Sequence, residues 1–497
     1  MTAAGRRRAL WLLAALLGAL FTWLKVEQYR NWLLTAWDTG IYLHTMARIA
    51  AGDWTGWNGL NGRSILGDAA QWIVYPLAPL LRLGGPVAVF ALQGFALAFG
   101  AVPLVLLAWR HWGGSGWSLA LLPAVLLFPG VIAGAVVEWH PDSLGFFFLA
   151  WLIWALESGR DRLFGPLVLL TLAVKNQAAV PVTGLGLTLL LAGLRRGRLD
   201  RRGLVALVLP GLLLVLEQHF ILPRLEPGLQ DRTIAGNYGY LGGSVPEMVL
   251  TLLRHPGYLV GAVAGHAGYW VTLLGFFAGL PLLGPVEALP ALLVLLVNSL
   301  GKAPILGLPY MQYTIWAAPF LAWAAIRATG RWIRRRPEQR RLRAGAAALL
   351  LLASATVVTV REGVPALSWR IRPLPPPLVA GLDRAAAQVP RQAIVFGQTG
   401  TVVPLYDRAA VGAEPYDRFD TFLARACAKG LGGLRVWVLW APGRSFAPIV
   451  PLDEQQRDLR RILASGPFRL RYAGDGVVLY QSAVAARELA PSACTGR

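Results

Sequence analysis

The sequence predicts a mostly α-helical protein that crosses a membrane many times and ends in a small extracytoplasmic α/β domain. Its 497 residues are 56% hydrophobic and only 15% charged, whereas roughly 25% of the residues of an average soluble protein are charged. The apolar residues form long runs that a single water-exposed core could not absorb. Since about 20 apolar residues cross the hydrocarbon part of a bilayer as a helix, residues 1–360 are predicted to form a polytopic helical bundle.

Eleven membrane segments are expected in this bundle. The stretch 163–194 is interrupted by Lys175, Asn176 and Gln177, and we interpret it as a hairpin of two short helices. With this hairpin, nineteen arginines fall in loops on the side of the N-terminus, which the positive-inside rule assigns to the cytoplasm. The other nine segments are single apolar runs at 9–25, 86–109, 117–137, 143–157, 203–222, 258–281, 286–300, 308–326 and 344–360.

The first segment follows Arg6, Arg7 and Arg8. It has no convincing small-residue cleavage site before a mature soluble domain, so we expect an uncleaved anchor and not a signal peptide. This topology leaves the N-terminus in the cytoplasm and the C-terminus outside.

Lys175 is expected to face a polar chamber inside the membrane. The arm before it, 163–174, rises only about 18 Å as a helix, which is too short for a hydrocarbon core of roughly 30 Å. Charge at such depth is tolerated only against protein or a water-filled cavity. The alternative is a lysine whose side chain extends to the outer interface.

The last third of the chain has a different composition. Five prolines mark a stiff linker at 361–378, and residues 379–497 read as a small α/β domain. Two cysteines, Cys427 and Cys494, exclude a disulfide-dense scaffold and a multi-cysteine metal site, although one disulfide is possible. Predicted strands begin at Ala393, Val402, Val436 and Gly476, and predicted helices cover 419–429 and 453–464.

Two features that suggest nucleotide or nucleic-acid binding have simpler explanations. The net charge is +21, but the arginines lie in short clusters between apolar runs, where membrane topology explains them, so nucleic acid is not an expected partner. The segment 397–400, Gly-Gln-Thr-Gly, follows a predicted strand. Without a Walker lysine or a full glycine fingerprint, it predicts a turn and not a phosphate loop.

Candidate site residues lie in two predicted outer loops. Asp38 belongs to the long first outer loop, 26–85, whose many tryptophans favour interfacial helices over disorder. It is either a turn or cap residue or a catalytic group. The short loop 138–142 contains Glu138, His140 and Asp142, which could hold a divalent cation. Asp142 is equally suited to be the N-cap of the next helix.

Several short motifs follow one another along the chain. They are Trp37-Asp38-Thr39-Gly40-Ile41-Tyr42, Leu66-Gly67-Asp68, Tyr75-Pro76-Leu77-Ala78-Pro79, His140-Pro141-Asp142, Lys175, the run from Asn237 to Gly242, and Gln312-Tyr313. Taken in this order, they resemble the motifs of a bacterial family of predicted multi-pass membrane proteins of unknown function. That family is itself similar to the GT-C glycosyltransferases, which take sugars from polyprenyl-phosphate donors. The resemblance spans nearly the whole chain and implies a GT-C-like bundle in the bacterial cytoplasmic (inner) membrane.

The leading hypothesis is therefore an inverting sugar transfer at the outer membrane face. The resemblance implies that Asp38 is the catalytic base or a metal-linked carboxylate, while cations stabilise the departing phosphate. Lys175 is the first candidate for the phosphate. The other expected substrate-binding residues are Tyr42, Asp68, Arg232 and Arg254, and Glu138, His140 and Asp142 are the candidate ligands of a divalent cation such as Mg or Mn.

Departures from the family pattern leave other functions open. Family members often have a histidine where this chain has Ala69, and acidic residues where it has Asn176 and Gln177. These differences favour a non-catalytic membrane protein, either a binder of lipid-linked ligands or an envelope assembly platform. A third hypothesis is a secondary transporter with its midplane site at the broken hairpin, although the sequence shows no internal repeat of the kind transporters usually have.

Overall fold

The computed structural model describes residues 2–225, 236–415, 417–446 and 450–494. It divides the chain into two compact units. The first unit comprises the residues up to Trp23, Leu66–Ile73 and Ala91–Trp369; the second comprises Leu24–Ile65, Val74–Phe90 and the residues from Arg370 onward.

The first unit is helical. Its long helices are rich in leucine, alanine and valine, which suit a helix surrounded by lipid or by other helices. Two of the helices below, Ala3–Arg30 and Val74–His111, contribute residues to both units. The main helices are Ala3–Arg30, Val74–His111, Leu121–Leu126, Pro129–Val136, Asp142–Glu157, Phe164–Val174, Ala179–Leu194, Arg201–Leu216, Val245–Arg254, Gly257–Gly265, Ala267–Gly275, Pro285–Leu300, Ala318–Arg334 and Arg340–Val358.

The number of helices that can cross a membrane alone is smaller than the number of predicted segments. Within the described part of the chain, five helices are long and apolar enough, and a sixth is added if Gly116–Leu126 and Pro129–Val136, bent by 62°, form one span. Several predicted segments instead form shorter helices, such as Asp142–Glu157 and Pro285–Leu300 with 16 residues each. The chain is a multi-pass membrane protein, and the count of eleven segments stays a prediction.

Ion pairs join helices of the first unit near the predicted cytoplasmic ends. Arg327 Nη1 lies 2.9 Å from Glu157 Oε1, and its Nε lies 3.1 Å from Glu287 Oε1. The indole of Trp323 also donates a hydrogen bond of 2.9 Å to Glu157. Arg327 therefore connects the helix Ala318–Arg334 to the helices Asp142–Glu157 and Pro285–Leu300.

The second unit contains a five-stranded mixed sheet, as expected for a small α/β domain. Its order is Ala410–Glu414, Ile394–Gln398, Arg435–Trp440, Val477–Ala485 and Phe468–Gly474. The first three strands are parallel, with Ile394 opposite both Ala410 and Val436, and the last two pair antiparallel. The helices Pro376–Ala387, Phe419–Ala428 and Leu452–Ala464 complete the fold.

The predicted strand at Val402 is wrong, because Val403–Leu405 is a short 3-10 helix. Pro404 has no backbone N–H for a strand ladder. The two cysteines form a disulfide between Cys427 and Cys494. It ties the helix Phe419–Ala428 to the C-terminal helix Pro491–Cys494.

Most of the long first outer loop, 26–65 and 74–85, belongs to the second unit, whereas Leu66–Ile73 belongs to the first. Trp57 belongs to the same apolar core as the sheet residues Ile394 and Phe396. Arg48 donates a hydrogen bond of 3.0 Å to the carbonyl of Ala409. The helix Ile41–Ala50 is mostly buried, and the interfacial position expected for helices of this loop stays a prediction.

Candidate functional site

A buried carboxylate, Asp142, organises the polar residues of the membrane unit. Its Oδ1 accepts a hydrogen bond of 2.8 Å from the indole of Trp316 and lies 3.8 Å from Lys175 Nζ. Its Oδ2 lies 3.8 Å from His140 Nδ1. Asp142 is fully buried, so its charge depends on these neighbours and not on water. The structure thus brings together His140, Asp142 and Lys175, three residues that the sequence had singled out.

Asp142 is the first residue of the helix Asp142–Glu157, and its N-cap is Pro141. No side-chain capping hydrogen bond is present there, so the alternative interpretation of Asp142 as the N-cap is wrong. Gln93 holds the preceding loop. Its Nε2 donates a hydrogen bond of 3.1 Å to the carbonyl of Glu138 and one of 3.3 Å to Ser143 Oγ. Because the Asp142 carboxylate does not cap its own helix, both of its oxygens can interact with other side chains, including Trp316 and Lys175.

Trp316 reaches Asp142 because a glycine makes room for it. A Cβ atom at Gly145, one turn along the helix from Asp142, would lie 2.3 Å from the Trp316 ring. No real Cβ approaches another heavy atom so closely, so an alanine at 145 would displace the indole. Sequence reasoning missed Trp316, because one tryptophan among many carries no motif.

Lys175 lies where the chain leaves the helical conformation. The helix Phe164–Val174 ends at Lys175, whose backbone is extended, and a short 3-10 turn, Asn176–Ala178, leads into the helix Ala179–Leu194. This agrees with the interruption that the polar residues had predicted. Lys175 Nζ also lies 5.4 Å from the centre of the Tyr313 ring. The side chain is only 11% exposed, so it does not extend to an open interface.

Lys175 lines a cavity of about 290 Å³ in the membrane unit. The lining is mainly aliphatic, in contrast to the polar chamber that was expected. Asn176 and Glu217 supply the other polar side chains. The remaining lining residues are Trp72, Leu169, Leu172, Ala173, Ala179, Pro210, Leu213, Leu214, Leu216 and Ile221.

One wall of this cavity comes from the segment Leu66–Ile73. Trp72 Nε1 donates a hydrogen bond of 2.7 Å to Glu217 Oε1, and Ile73 N donates 2.8 Å to the carbonyl of Ala173. Asp68 is partly buried in the short helix Ile65–Ala69 just before this wall. Its predicted role in substrate binding stays a prediction.

The residues of the 138–142 loop do not fit a divalent cation. In the part of the chain that the structure describes, no three His, Cys, Asp or Glu side chains are grouped as metal ligands. The ammonium group of Lys175, 3.8 Å from Asp142, would repel a cation bound to that carboxylate. We therefore assign no Mg or Mn site to Glu138, His140 and Asp142.

Asp38 lies in the second unit, on a single π-helical turn, Ala36–Gly40. Two hydrogen bonds from Ala36 N fix that turn, one of 2.8 Å to the carbonyl of Thr399 and one of 3.0 Å to Thr399 Oγ1. Within the segment 397–400, Gly397 and Gln398 end the strand Ile394–Gln398, and Thr399 and Gly400 form a turn. Asp38 is partly buried, and Tyr42 is buried in the next helix, Ile41–Ala50.

Of the two arginines proposed for substrate binding, the structure describes only Arg254. Arg254 is exposed at the end of the helix Val245–Arg254 and does not line the Lys175 cavity. Arg232 lies outside the described residues.

The comparisons with known proteins show the family and the fold of this chain. A family model described as "Predicted membrane protein (DUF2079)" matches residues 29–380. The chain belongs to this family. The sequence matches none of the curated proteins.

The fold of this DUF2079 member is similar to that of ArnT from Cupriavidus metallidurans, a GT-C glycosyltransferase. The crystal structure of ArnT bound to undecaprenyl phosphate aligns with a TM-score of 0.51 at 12% identity, over 96% of this chain and 99% of that one. For the apo crystal structure of ArnT the TM-score is 0.48 at 13% identity, with the same coverage. The GT-C-like fold expected from the motifs is thereby confirmed.

Proposed function

We propose that this protein is a membrane glycosyltransferase that binds a polyprenyl-phosphate sugar at the Lys175 cavity and transfers the sugar to an acceptor. The observation that carries the proposal is the composition of that cavity. It combines a mainly aliphatic lining with one buried lysine at the end of a broken helix, while the Glu217 carboxylate of the same lining accepts a hydrogen bond from Trp72.

Such a cavity suits a ligand that has an apolar chain and an anionic head. The leucines at 169, 172, 213 and 214 offer the chain an apolar wall, and burial of apolar surface favours binding. The Lys175 ammonium offers the phosphate a charge-assisted hydrogen bond in a medium of low dielectric constant. The likeness in fold to ArnT, whose crystal structure holds undecaprenyl phosphate, supports the same class of ligand.

Asp142 is the positioning residue for Lys175. Its carboxylate is held by Trp316, and it attracts the ammonium group from 3.8 Å. When a phosphate enters, Lys175 lies between two anions, and the developing negative charge on the leaving phosphate is stabilised without a rearrangement of the protein.

In the proposed step, the Asp38 carboxylate takes the proton of an acceptor hydroxyl. The acceptor oxygen forms a bond to the anomeric carbon, and the bond between that carbon and the phosphate oxygen breaks, with its electron pair leaving on the phosphate. The products are the glycosylated acceptor and the polyprenyl phosphate. The position of Asp38 in the family motif supports this role.

The reaction is proposed to take place at the outer face of the bacterial inner membrane. The disulfide between Cys427 and Cys494 supports this side for the α/β domain, because disulfides persist in oxidising compartments and are rare in the cytoplasm. The arginine distribution supports the same orientation.

The test is sugar transfer from a polyprenyl-phosphate sugar by the purified full chain in detergent. We expect Asp38→Asn to lose transfer while it still binds undecaprenyl phosphate, and Lys175→Met to bind undecaprenyl phosphate at least tenfold more weakly. Lys429→Met and Asp161→Asn serve as matched controls, since both residues are exposed and outside the cavity. Unchanged transfer in Asp38→Asn removes Asp38 from the mechanism.

A binder of lipid-linked ligands is the second candidate, and the ion pair between Lys175 and Asp142 favours it. The Asp142 carboxylate, 3.8 Å from the ammonium group, offsets part of its attraction for a phosphate, which favours reversible binding of the lipid. Binding of the lipid without any product from a range of sugar donors would assign this function.

A further inference from the structure

A second lysine, Lys302, lies in a separate groove of the membrane unit. This Lys302 groove has a volume of about 380 Å³ and is open to the surroundings. It shares no lining residue with the Lys175 cavity. Its lining residues are Tyr240, Gly257, Tyr258, Gly261, Ala262, Ser299, Leu300, Gly301 and Lys302.

The motif from Asn237 to Gly242, which the proposed reaction does not use, builds this groove. The carbonyl of Asn237 accepts a hydrogen bond of 3.2 Å from Lys302 N, and its Oδ1 accepts 3.1 Å from Ala303 N. Tyr240 Oη donates 2.8 Å to the carbonyl of Leu300. These bonds fold the motif onto the turn that follows the helix Pro285–Leu300 and thereby fix the backbone of Lys302.

The Lys302 side chain is held at the groove by an aromatic ring. Its Nζ lies 5.2 Å from the centre of the Tyr240 ring, within the range of a cation–π interaction. The Tyr240 and Tyr258 rings meet edge to face, with centroids 5.9 Å apart. Among the described lining residues none is acidic, so none of them neutralises the positive charge of Lys302.

The opposite wall is open because it consists of small residues. Gly257, Gly261 and Ala262 belong to the helix Gly257–Gly265. A Cβ atom at Gly261 would meet no other atom within 4 Å. The space beside Lys302 is therefore real free volume, large enough for a group the size of a phosphate ester.

The protein surface around the groove is apolar. Val260 on the wall helix is 69% exposed, and Leu253 on the neighbouring helix Val245–Arg254 is 74% exposed. No residue of either helix is buried among the described neighbours. In a multi-pass membrane protein, an exposed apolar surface of this kind contacts lipid.

We infer that the Lys302 groove binds the phosphate headgroup of an anionic phospholipid from the bilayer. The ammonium group of Lys302 pairs with the phosphate, the two tyrosine rings line the headgroup site, and the acyl chains lie along the exposed apolar helices outside. This site is distinct from the cavity proposed for the sugar donor, and it does not depend on any sugar transfer.

The test measures retention of added phosphatidylglycerol by the purified full chain, using native mass spectrometry. We expect wild type and Lys302→Arg to retain the lipid, and Lys302→Met to bind it about tenfold more weakly. Gly261→Leu should weaken binding as much, because its side chain fills the groove without touching the lysine. Lys175→Met should bind phosphatidylglycerol like wild type, which separates this site from the proposed donor site.

Three results would overturn the inference. The first is equal retention of phosphatidylglycerol by wild type, Lys302→Met and Gly261→Leu. The second is equal retention of the zwitterionic lipid phosphatidylcholine by wild type, since a site selected by charge prefers the anionic lipid. The third is displacement of phosphatidylglycerol by an equal concentration of inorganic phosphate, which would assign the groove to a soluble anion.

Discussion

The ion pair between Asp142 and Lys175 offers a quantitative test of how the membrane unit is built. The two charges are 3.8 Å apart, and Coulomb's law at an effective dielectric constant of about 20 gives an attraction of roughly 4 kcal/mol. Removing one partner of a buried pair leaves the other charge uncompensated and costs about 3–5 kcal/mol. Asp142→Asn and Lys175→Met should therefore each destabilise the protein by about this amount.

The double variant should be less destabilised than the sum of the two single variants, because no isolated charge remains. We expect a coupling free energy of about 2–3 kcal/mol, at the upper end for contacting residues. The assay is reversible unfolding in mixed detergent micelles, followed by the fluorescence of the chain's 20 tryptophans.

The exposed pair between Asp161 and Arg202 is the matched control. Its atoms are closer, at 2.7 Å, but the Asp161 side chain is 67% exposed, so Asp161→Asn should change the free energy of unfolding by less than about 1 kcal/mol. A coupling between Asp142 and Lys175 as small as that of this surface pair would refute the reasoning, since burial would then not strengthen the interaction.

Three further predictions concern stability. Burial raises the pKa of Glu414 to about 7 in the folded protein, so the folded state holds this proton more tightly than the unfolded chain does. The free energy of unfolding should therefore fall as the pH rises from about 4.5 to 7. Glu414→Gln should remove this fall in unfolding experiments on the full chain. Burial lowers the pKa of His44 to about 4, so stability is lost as the pH falls from 6.5 to 4, and His44→Gln should flatten that part of the curve. Arg327→Ala removes the arginine that Glu157 and Glu287 share. It should lower the free energy of unfolding by about 2–4 kcal/mol. A loss below about 0.5 kcal/mol would show that these ion pairs contribute little to stability.

The parts of the fold that sequence predicted correctly are those with strong local signals. The break at Lys175 was visible because a lysine interrupts a long apolar run. The helices Phe419–Ala428 and Leu452–Ala464 matched their predicted positions within one residue. The strands Ala410–Glu414 and Phe468–Gly474 were missed. The first is a short run of mostly small residues that is stabilised by pairing with the preceding strand, Ile394–Gln398, and the second is a largely exposed edge strand.

The candidate site was predictable only in part for a related reason. Ionisable residues are rare within apolar segments and are often functional, so His140, Asp142 and Lys175 could be selected from the sequence. Trp316 could not, because its contact with Asp142 depends on the turn before the helix Ala318–Arg334 packing closely against Gly145. The order of short motifs indicated the fold, while the aliphatic lining of the Lys175 cavity emerges only when the helices pack.

The most direct test of the account is to locate a bound polyprenyl phosphate. A photoreactive undecaprenyl phosphate should label peptides that contain the leucines at 169, 172, 213 and 214, and the labelling should fall at least tenfold in Lys175→Met but not in Lys302→Met. Labelling that is indifferent to Lys175, or that falls on other helices, would contradict the assignment of this cavity to a lipid-linked phosphate.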